Sequence, residues 1–319
     1  MERNCGGGAE IRLRPLATSV TGTGGRLILC GTPIGNLEDS TSRLIKTLTT
    51  ADVIACEDVG RTRKLLSHFG IAAPNLVIYN DGNERRVVPS LLKEIRQGKT
   101  VVLVSDAGMP GMSDPGFRLV RACVDEDLSV DVVPGPTSVV SALVVSGLPP
   151  DRFVFEGWLP RRPGERARRA AELGPEKRTL VFFCSPHRIE SDLEDLLRGL
   201  GDRPAALVRE LTKLHQEIRR GTLTELLEGI GERPPKGEMV LVVGGAPEGQ
   251  AEVPPEELAR RAIRLMAAGM DRKEALGEVA RAAGVPKREV FDALVEEKDD
   301  PPGEQQDADR LDDPPEQGA

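Results

Sequence analysis

From residue 26 to residue 243, short apolar runs alternate with stretches whose apolar residues recur every three or four positions. The first half carries runs at 27–30, 53–56, 76–79, 101–104 and 130–133, with helical patterns near 40–49, 61–68, 87–97 and 116–124. Runs this short, bounded by turn residues, read as buried strands, and their alternation with helices implies βα units around a largely parallel sheet. The pattern pauses at Leu148-Pro149-Pro150. It resumes with runs at 153–156, 180–184, 206–208 and 239–243, separated by helical stretches at 164–172, 188–198 and 222–230. The expected organisation is two α/β domains, 26–137 and 138–248, with the helix after Thr137 bridging them. Over 254–298 three short helical patterns are punctuated by Gly269-Met270-Asp271 and Gly284-Val285-Pro286, which suit helix ends and starts. Asp271 with Glu274 resembles a capping box. That segment is expected to form a small trihelical extension of helix-turn-helix spacing. Its third helix opens on Lys287 and Arg288 but carries several acids, so packing outweighs nucleic-acid reading there.

Charge distribution alters the picture more than total charge does. The chain is −8 overall, but residues 299–319 hold −7, leaving −1 for the rest. An acidic sum therefore does not exclude a nucleic-acid partner. The 299–319 tail reads as disordered and 1–25 as a flexible leader. Aromatic residues make up only 3%, which argues against a base-stacking platform. The five cysteines (Cys5, Cys30, Cys56, Cys123, Cys184) show no paired or metal-ligand spacing, so neither disulfides nor a metal is expected. No apolar segment is long enough for a membrane span, and a cytoplasmic location follows as the expectation.

The candidate chemistry lies at strand ends. Ser105-Asp-Ala-Gly-Met-Pro-Gly-Met-Ser-Asp-Pro-Gly116 follows 101–104, Gly31-Thr-Pro-Ile-Gly-Asn36 follows the first strand, and Pro134-Gly-Pro-Thr-Ser138 follows 130–133. Loops at the carboxyl ends of strands form the ligand crevice of an α/β sheet, so three of them argue for one composite small-molecule site. The first loop is neither GxGxxG nor a Walker loop, and its prolines remove amides that a pyrophosphate would need. A nucleoside without phosphates fits better; S-adenosylmethionine meets that description, with Asp106 available to its polar groups.

Glu57-Asp58 ends the second strand ahead of Arg61-Thr-Arg-Lys64. The pair reads as acid–base chemistry or, about equally, as an N-cap with surface ion pairs. Ser185-Pro-His-Arg188 and Arg209-Glu-Leu-Thr-Lys213 close later strands, and Arg161-Arg162 with Arg166, Arg168 and Arg169 form a basic stretch suited to phosphate.

Taken in order, these motifs resemble the bacterial 16S rRNA cytidine 2′-O-methyltransferases of the tetrapyrrole-methylase superfamily. Those carrying the likeness are Gly31-Thr-Pro-Ile-Gly-Asn-Leu-Glu-Asp39, Glu57-Asp58 with Thr62-Arg-Lys-Leu-Leu66, Ser105-Asp-Ala-Gly108, Ser113-Asp-Pro-Gly-Phe117, Pro134-Gly-Pro136, Phe155-Glu-Gly-Trp-Leu-Pro-Arg161, Ser185-Pro-His-Arg188 and Arg209-Glu-Leu-Thr-Lys213. The resemblance implies two α/β domains with S-adenosylmethionine in the cleft between them, and a homodimer. It implies cofactor contacts from Pro33, Asp106, Ser113, Thr137, Ser138, Cys184, Leu211 and Gly237. The implied substrate is a decoding-site cytidine of the small ribosomal subunit, with no DNA or membrane partner. Proton acceptors for its ribose hydroxyl are Glu57, Asp58, Asp106 or Glu210, with Glu57 and Asp58 preferred if Asp106 serves the cofactor. Arg63, Lys64, Arg85, Arg86, Arg188 and Lys213 are candidate RNA contacts. The chain departs from the family at Val59-Gly60-Arg61, Met109 and Asn80-Asp81-Gly82, all near the expected acceptor side. Two rival readings are a methylase acting on a tetrapyrrole or corrinoid precursor and a non-catalytic rRNA assembly factor.

Overall fold

The computed structural model describes residues 24–232, 235–247 and 254–299, without the side chains of 232 and 297–299. Most of the leader, Cys5 and the tail beyond 299 lie outside the described residues.

The first sheet contains β1 (Arg26–Cys30), β2 (Val53–Cys56), β3 (Asn75–Ile78), β4 (Thr100–Val104) and β5 (Ser129–Val133) in the order β3-β2-β4-β1-β5, all parallel. β2 and β4, buried on both faces, read as unbroken apolar runs for that reason. The connecting helices are α1 (Ser42–Thr50), α2 (Val59–His68), α3 (Glu84–Arg96) and α4 (Phe117–Asp125). Leu44 and Leu48 of α1 and Leu66 of α2 pack on one face, while Leu91 and Ile95 of α3 and Leu119 and Cys123 of α4 pack on the other. Neighbouring strands β1 and β4 therefore send their helices to opposite faces. That reversal opens a crevice at the carboxyl ends of the two strands.

The second sheet holds β6 (Phe153–Trp158), β7 (Thr179–Cys184), β8 (Pro204–Arg209), β9 (Glu217–Thr222) and β10 (Met239–Val243) in the order β6-β7-β10-β8-β9. Here the expectation of largely parallel strands fails. Only β6 and β7 are parallel; β7–β10, β10–β8 and β8–β9 are antiparallel. β10 is inserted between β7 and β8, and β9 folds back on β8 as a hairpin. β9 escaped the sequence reading because Glu-Ile-Arg-Arg-Gly-Thr has one aliphatic residue. It is an edge strand whose Glu217 pairs with Arg209 at 2.8 Å and Arg219 at 3.0 Å. Charged edges of this kind discourage pairing with other chains.

α5 (Ser138–Ser146) begins at the end of the first sheet's last loop and lays Val139, Ala142 and Leu143 on Val181, Val208, Val240 and Val242 of the second sheet. α6 (Pro163–Glu172), α7 (Ile189–Leu200) and α8 (Leu223–Glu232) complete this half. Arg166 of α6 is buried, 2.6 Å from Asp195 and 3.6 Å from Asp192, both on α7. α9 (Pro255–Ala267), α10 (Arg272–Ala283) and α11 (Lys287–Asp299) form a separate compact unit around Leu258, Ala262, Leu276, Val279, Val290 and Leu294. Asp271 caps α10 by accepting from the Lys273 amide, and Gly284 ends it in the left-handed region.

Candidate active site at the strand ends

The three Gly/Pro loops of the first sheet are stitched together. The Gly31 amide donates to Val133 O, and Thr32 and Gly108 exchange backbone hydrogen bonds of 2.9 and 3.1 Å. Gly31 and Gly135 lie backbone against backbone: a Cβ on Gly31 would sit 2.7 Å from Gly135, and one on Gly135 2.6 Å from the Gly31 carbonyl. Only glycine permits that approach.

At the end of β2, Asp58 and Asp106 tie β2 to β4. The Asp58 amide donates to Asp106 Oδ1 at 3.2 Å, and the Asp106 amide donates to the Glu57 carboxylate. Arg61, in the first turn of α2, reaches Asp106 Oδ2 at 3.3 Å. Asp58 is the exposed N-cap of α2, and the Arg61 and Gly60 amides hold its carboxyl below the ordinary range. Glu57 behaves oppositely. Burial, then the charges of Asp114 and Asp106, push it from 4.5 up to about 7, and its Oε1 is buried with no hydrogen-bond partner.

Opposite these loops, an irregularity in β6 between Phe155 and Gly157 sets Trp158 beside Phe183, with ring centroids 5.6 Å apart. Such bulges re-aim side chains. Glu210 and Thr212, both with positive φ, shape the turn after β8. Gly237, at φ +87°, leaves room for the Glu210 carboxylate, which accepts from the Glu238 amide and from Lys213 Nζ. Burial pushes Glu210 upward, but those two donors outweigh it and hold the carboxyl low.

Between the two sets of loops lies a cleft of about 360 Å³. Asp106, Thr137, Ser138, Cys184, Leu211 and Gly237 all line it. Ser113 does not, although Met112 and Asp114 beside it do; it takes a left-handed conformation, φ 63°, and packs near Gly157. Pro33 lines a smaller neighbouring pocket instead. Trp158, Met109, Arg61 and Glu238 are wall residues that the sequence reading did not assign. Trp158 is the only tryptophan and stood within a quoted motif, so its rarity was the available signal. The walls are mainly apolar, and Arg61, their one cation among the described residues, is paired with Asp106. This chemistry suits a nucleoside without phosphates.

The expected RNA contacts separate into two groups. Arg63, Lys64, Arg85 and Arg86 are exposed on α2 and α3 and form no ion pair among the described residues. Arg188 and Lys213 differ from these in having partners within the protein. Arg188 donates to the Leu159 and Pro160 carbonyls and to Asp192, and Lys213 bridges Glu210 and Glu238 at 3.0 and 2.9 Å. Both cations brace loops, while Arg188 Nε is buried with no hydrogen-bond partner. The basic stretch on α6 shrinks similarly, since Arg166 is buried, Arg169 binds Glu156 and Arg162 binds Glu165.

A model of the Tetrapyrrole (Corrin/Porphyrin) Methylases matches residues 26–227. The chain is 43% identical over 280 residues to the ribosomal RNA small subunit methyltransferase I of Halalkalibacterium halodurans, covering 86% of this chain and 96% of that protein. It is 45% identical over 277 residues to the protein of the same name from Mycobacterium tuberculosis strain H37Rv, with the same shares covered. Among solved structures, uroporphyrin-III-C-methyltransferase from Thermus thermophilus superposes with a TM-score of 0.51 at 25% identity, over 70% of this chain and 95% of that one. The methyltransferase CobJ superposes at 0.54 with 20% identity, over 70% and 95%, a likeness of fold. The match over residues 26–227, together with relatives sharing more than two residues in five along nearly their whole length, shows that the chain belongs to the tetrapyrrole methylase family, among its ribosomal RNA small subunit methyltransferase I members.

Proposed function

We propose that this methyltransferase transfers the methyl group of S-adenosylmethionine to the ribose 2′-hydroxyl of a cytidine in small-subunit ribosomal RNA. The observation that carries this reading is the placement of the cleft: an apolar nucleoside site takes Arg61 from α2, the helix that also bears exposed, unpaired Arg63 and Lys64. The relatives' name supplies the RNA. A non-catalytic assembly factor gives no role to the cleft, and the relatives' name favours RNA over a tetrapyrrole.

The residues present fit the cofactor. Trp158 and Leu211 offer apolar walls, Thr137 and Ser138 stand at the start of α5, and Asp106 supplies negative charge. When bound, S-adenosylmethionine supplies an electrophilic methyl group on a cationic sulfur and departs as a neutral thioether. As the O–CH₃ bond forms and the S–CH₃ bond breaks, the hydroxyl proton must go to a base. Of the four sequence candidates, Asp58 is held ionised as a cap, Glu210 is held low by its donors, and Asp106 is occupied by Arg61 and the Asp58 amide. Glu57 alone retains proton affinity near neutrality and is the acceptor this reading assigns; it lines neither the cleft nor the neighbouring pocket, and of the four only Asp106, whose amide donates to the Glu57 carboxylate, lines the cleft. The stitched loops act mainly by fixing approach geometry.

The same reading includes a homodimer, supported by exposed Val140 and Val144 one turn apart on α5, and a cytoplasmic site of action. No helix among the described residues is long and apolar enough to cross a membrane. The decisive experiment incubates the protein and labelled S-adenosylmethionine with unmodified small ribosomal subunits, naked 16S rRNA, or a porphyrin precursor. Label recovered as 2′-O-methylcytidine from the RNA arms is the expected result; label in the porphyrin alone, or in none, overturns it.

A further inference from the structure

Two residues, Arg61 and Asp106, line both the cleft and a second pocket of about 250 Å³ beside it. They are paired, with Arg61 Nη1 standing 3.3 Å from Asp106 Oδ2. The Asp58 amide holds the other oxygen, Oδ1, at 3.2 Å. That amide is fixed in the backbone just ahead of α2, whereas the Arg61 side chain is 64% exposed and reaches its partner from solvent. Ion pairs this exposed are weakly held. Among the described residues it is the one ion pair that Arg61 makes.

A cationic ligand in the cleft competes for the same oxygen. S-adenosylmethionine carries positive charge on its sulfur and on its amino group, and Asp106 is the carboxylate that fits this charge. Two cations at one carboxylate oxygen repel each other, the more so against apolar walls that screen poorly. The guanidinium, once displaced, already borders the second pocket. Lys64, one turn along α2 and also lining that pocket, is exposed and forms no ion pair among the described residues. Residues three apart on a helix share a face. Asp106 is the one acid of the pocket's lining, so with its charge answered by the cofactor, Arg61 and Lys64 form a site for an anion.

We propose that Arg61 is an RNA-positioning residue released by the cofactor: S-adenosylmethionine takes its place on Asp106, and the freed guanidinium joins Lys64 on a phosphate of the RNA strand. The proposal rests on the ribosomal RNA reading above. Arginine suits the exchange, because its planar fork matches a carboxylate and a phosphate equally well. The consequence is positive coupling between the two substrates. By linkage it is reciprocal, so bound RNA raises cofactor affinity by the same factor. The enzyme then grips the acceptor strand most firmly when the methyl donor is already in place.

The test measures affinity for unmodified 16S rRNA with and without sinefungin, a non-reactive cofactor analogue that bears an amine in place of the sulfonium methyl. In wild type the analogue should raise RNA affinity about fivefold or more. It should also steepen the slope of log affinity against log salt by about 0.7–0.9, the share of one further phosphate. Arg61→Gln should lose both effects and differ from wild type in RNA binding only when the analogue is present. By calorimetry it should bind the analogue at least as tightly as wild type, since a competitor for Asp106 is gone. Lys64→Gln should bind RNA more weakly in both conditions and keep the coupling. Equal RNA affinity with and without the analogue in wild type overturns the proposal. Coupling that survives in Arg61→Gln also overturns it, because the analogue's own charge would then be the cause. Weaker analogue binding by Arg61→Gln does the same, because it would make Arg61 part of the cofactor site. In each of these cases wild type still methylates the RNA and the ribosomal RNA reading stands; a wild type that neither binds nor methylates it removes that reading, and this proposal with it.

Discussion

Glu57 combines two features that usually exclude each other: a carboxylate tied by the Asp106 amide, and an oxygen left buried and unpartnered. Burial and the neighbouring Asp114 and Asp106 raise its pKa to about 7. Glu57→Gln keeps the shape and the hydrogen bond but cannot accept a proton; kcat should fall by about 10²–10⁴-fold with cofactor affinity unchanged. In wild type, kcat should rise with pH and level off above about 7, and a flat profile would remove Glu57 from proton transfer. Stability should move the other way. Between 4.5, the ordinary value, and about 7 the folded protein holds a proton that the unfolded chain has released, so stability falls as pH rises. Melting curves should accordingly show Glu57→Gln more stable than wild type at pH 8, with the difference vanishing near pH 4.

Among elements, the loops after β1, β4 and β5 form one assembly, because the Gly31–Gly135 approach and the Thr32–Gly108 bridge leave none of them free to move alone. A methyl group on Gly31 would press on Gly135 and on Met109 Sδ. Gly31→Ala should cost about 1–3 kcal/mol in urea unfolding, as overpacking does, and should weaken cofactor binding by displacing the Asp106 loop. Wild-type affinity by calorimetry in this variant would show the loops to be independent. Arg188 and Lys213 act on the same scale. Each is a cation in a motif at a strand end, but its donors hold protein carbonyls and carboxylates.

For the whole molecule, net charge is a poor guide to where RNA would bind. Arg63, Lys64, Arg85 and Arg86 lie on α2 and α3, which follow or precede the β2–β3 edge of the first sheet. Arg85→Ala with Arg86→Ala should weaken binding to ribosomal RNA and reduce the slope of log affinity against log salt by about 0.7–0.9 for each phosphate no longer neutralised. Cofactor binding should not change. A wild-type slope in the double variant would place the RNA elsewhere.

The sequence by itself determined the strands of the first sheet, most helices, and the strand-end loops where a ligand could bind. Those features are local, since periodicity and Gly/Pro placement follow from backbone sterics and burial. It also brought forward Glu57, Asp106 and the residues around Thr137 and Cys184. Strand direction in the second sheet was decided only by tertiary structure, because an apolar run such as Met239–Val243 looks the same in a parallel or an antiparallel neighbourhood. The fate of each charge was decided there as well. Asp58 and Glu57 are adjacent in the chain, yet one caps a helix in solvent and the other is half-buried among acids. Ionisation and pairing depend on neighbours brought together from distant strands, and no local pattern of residues encodes them.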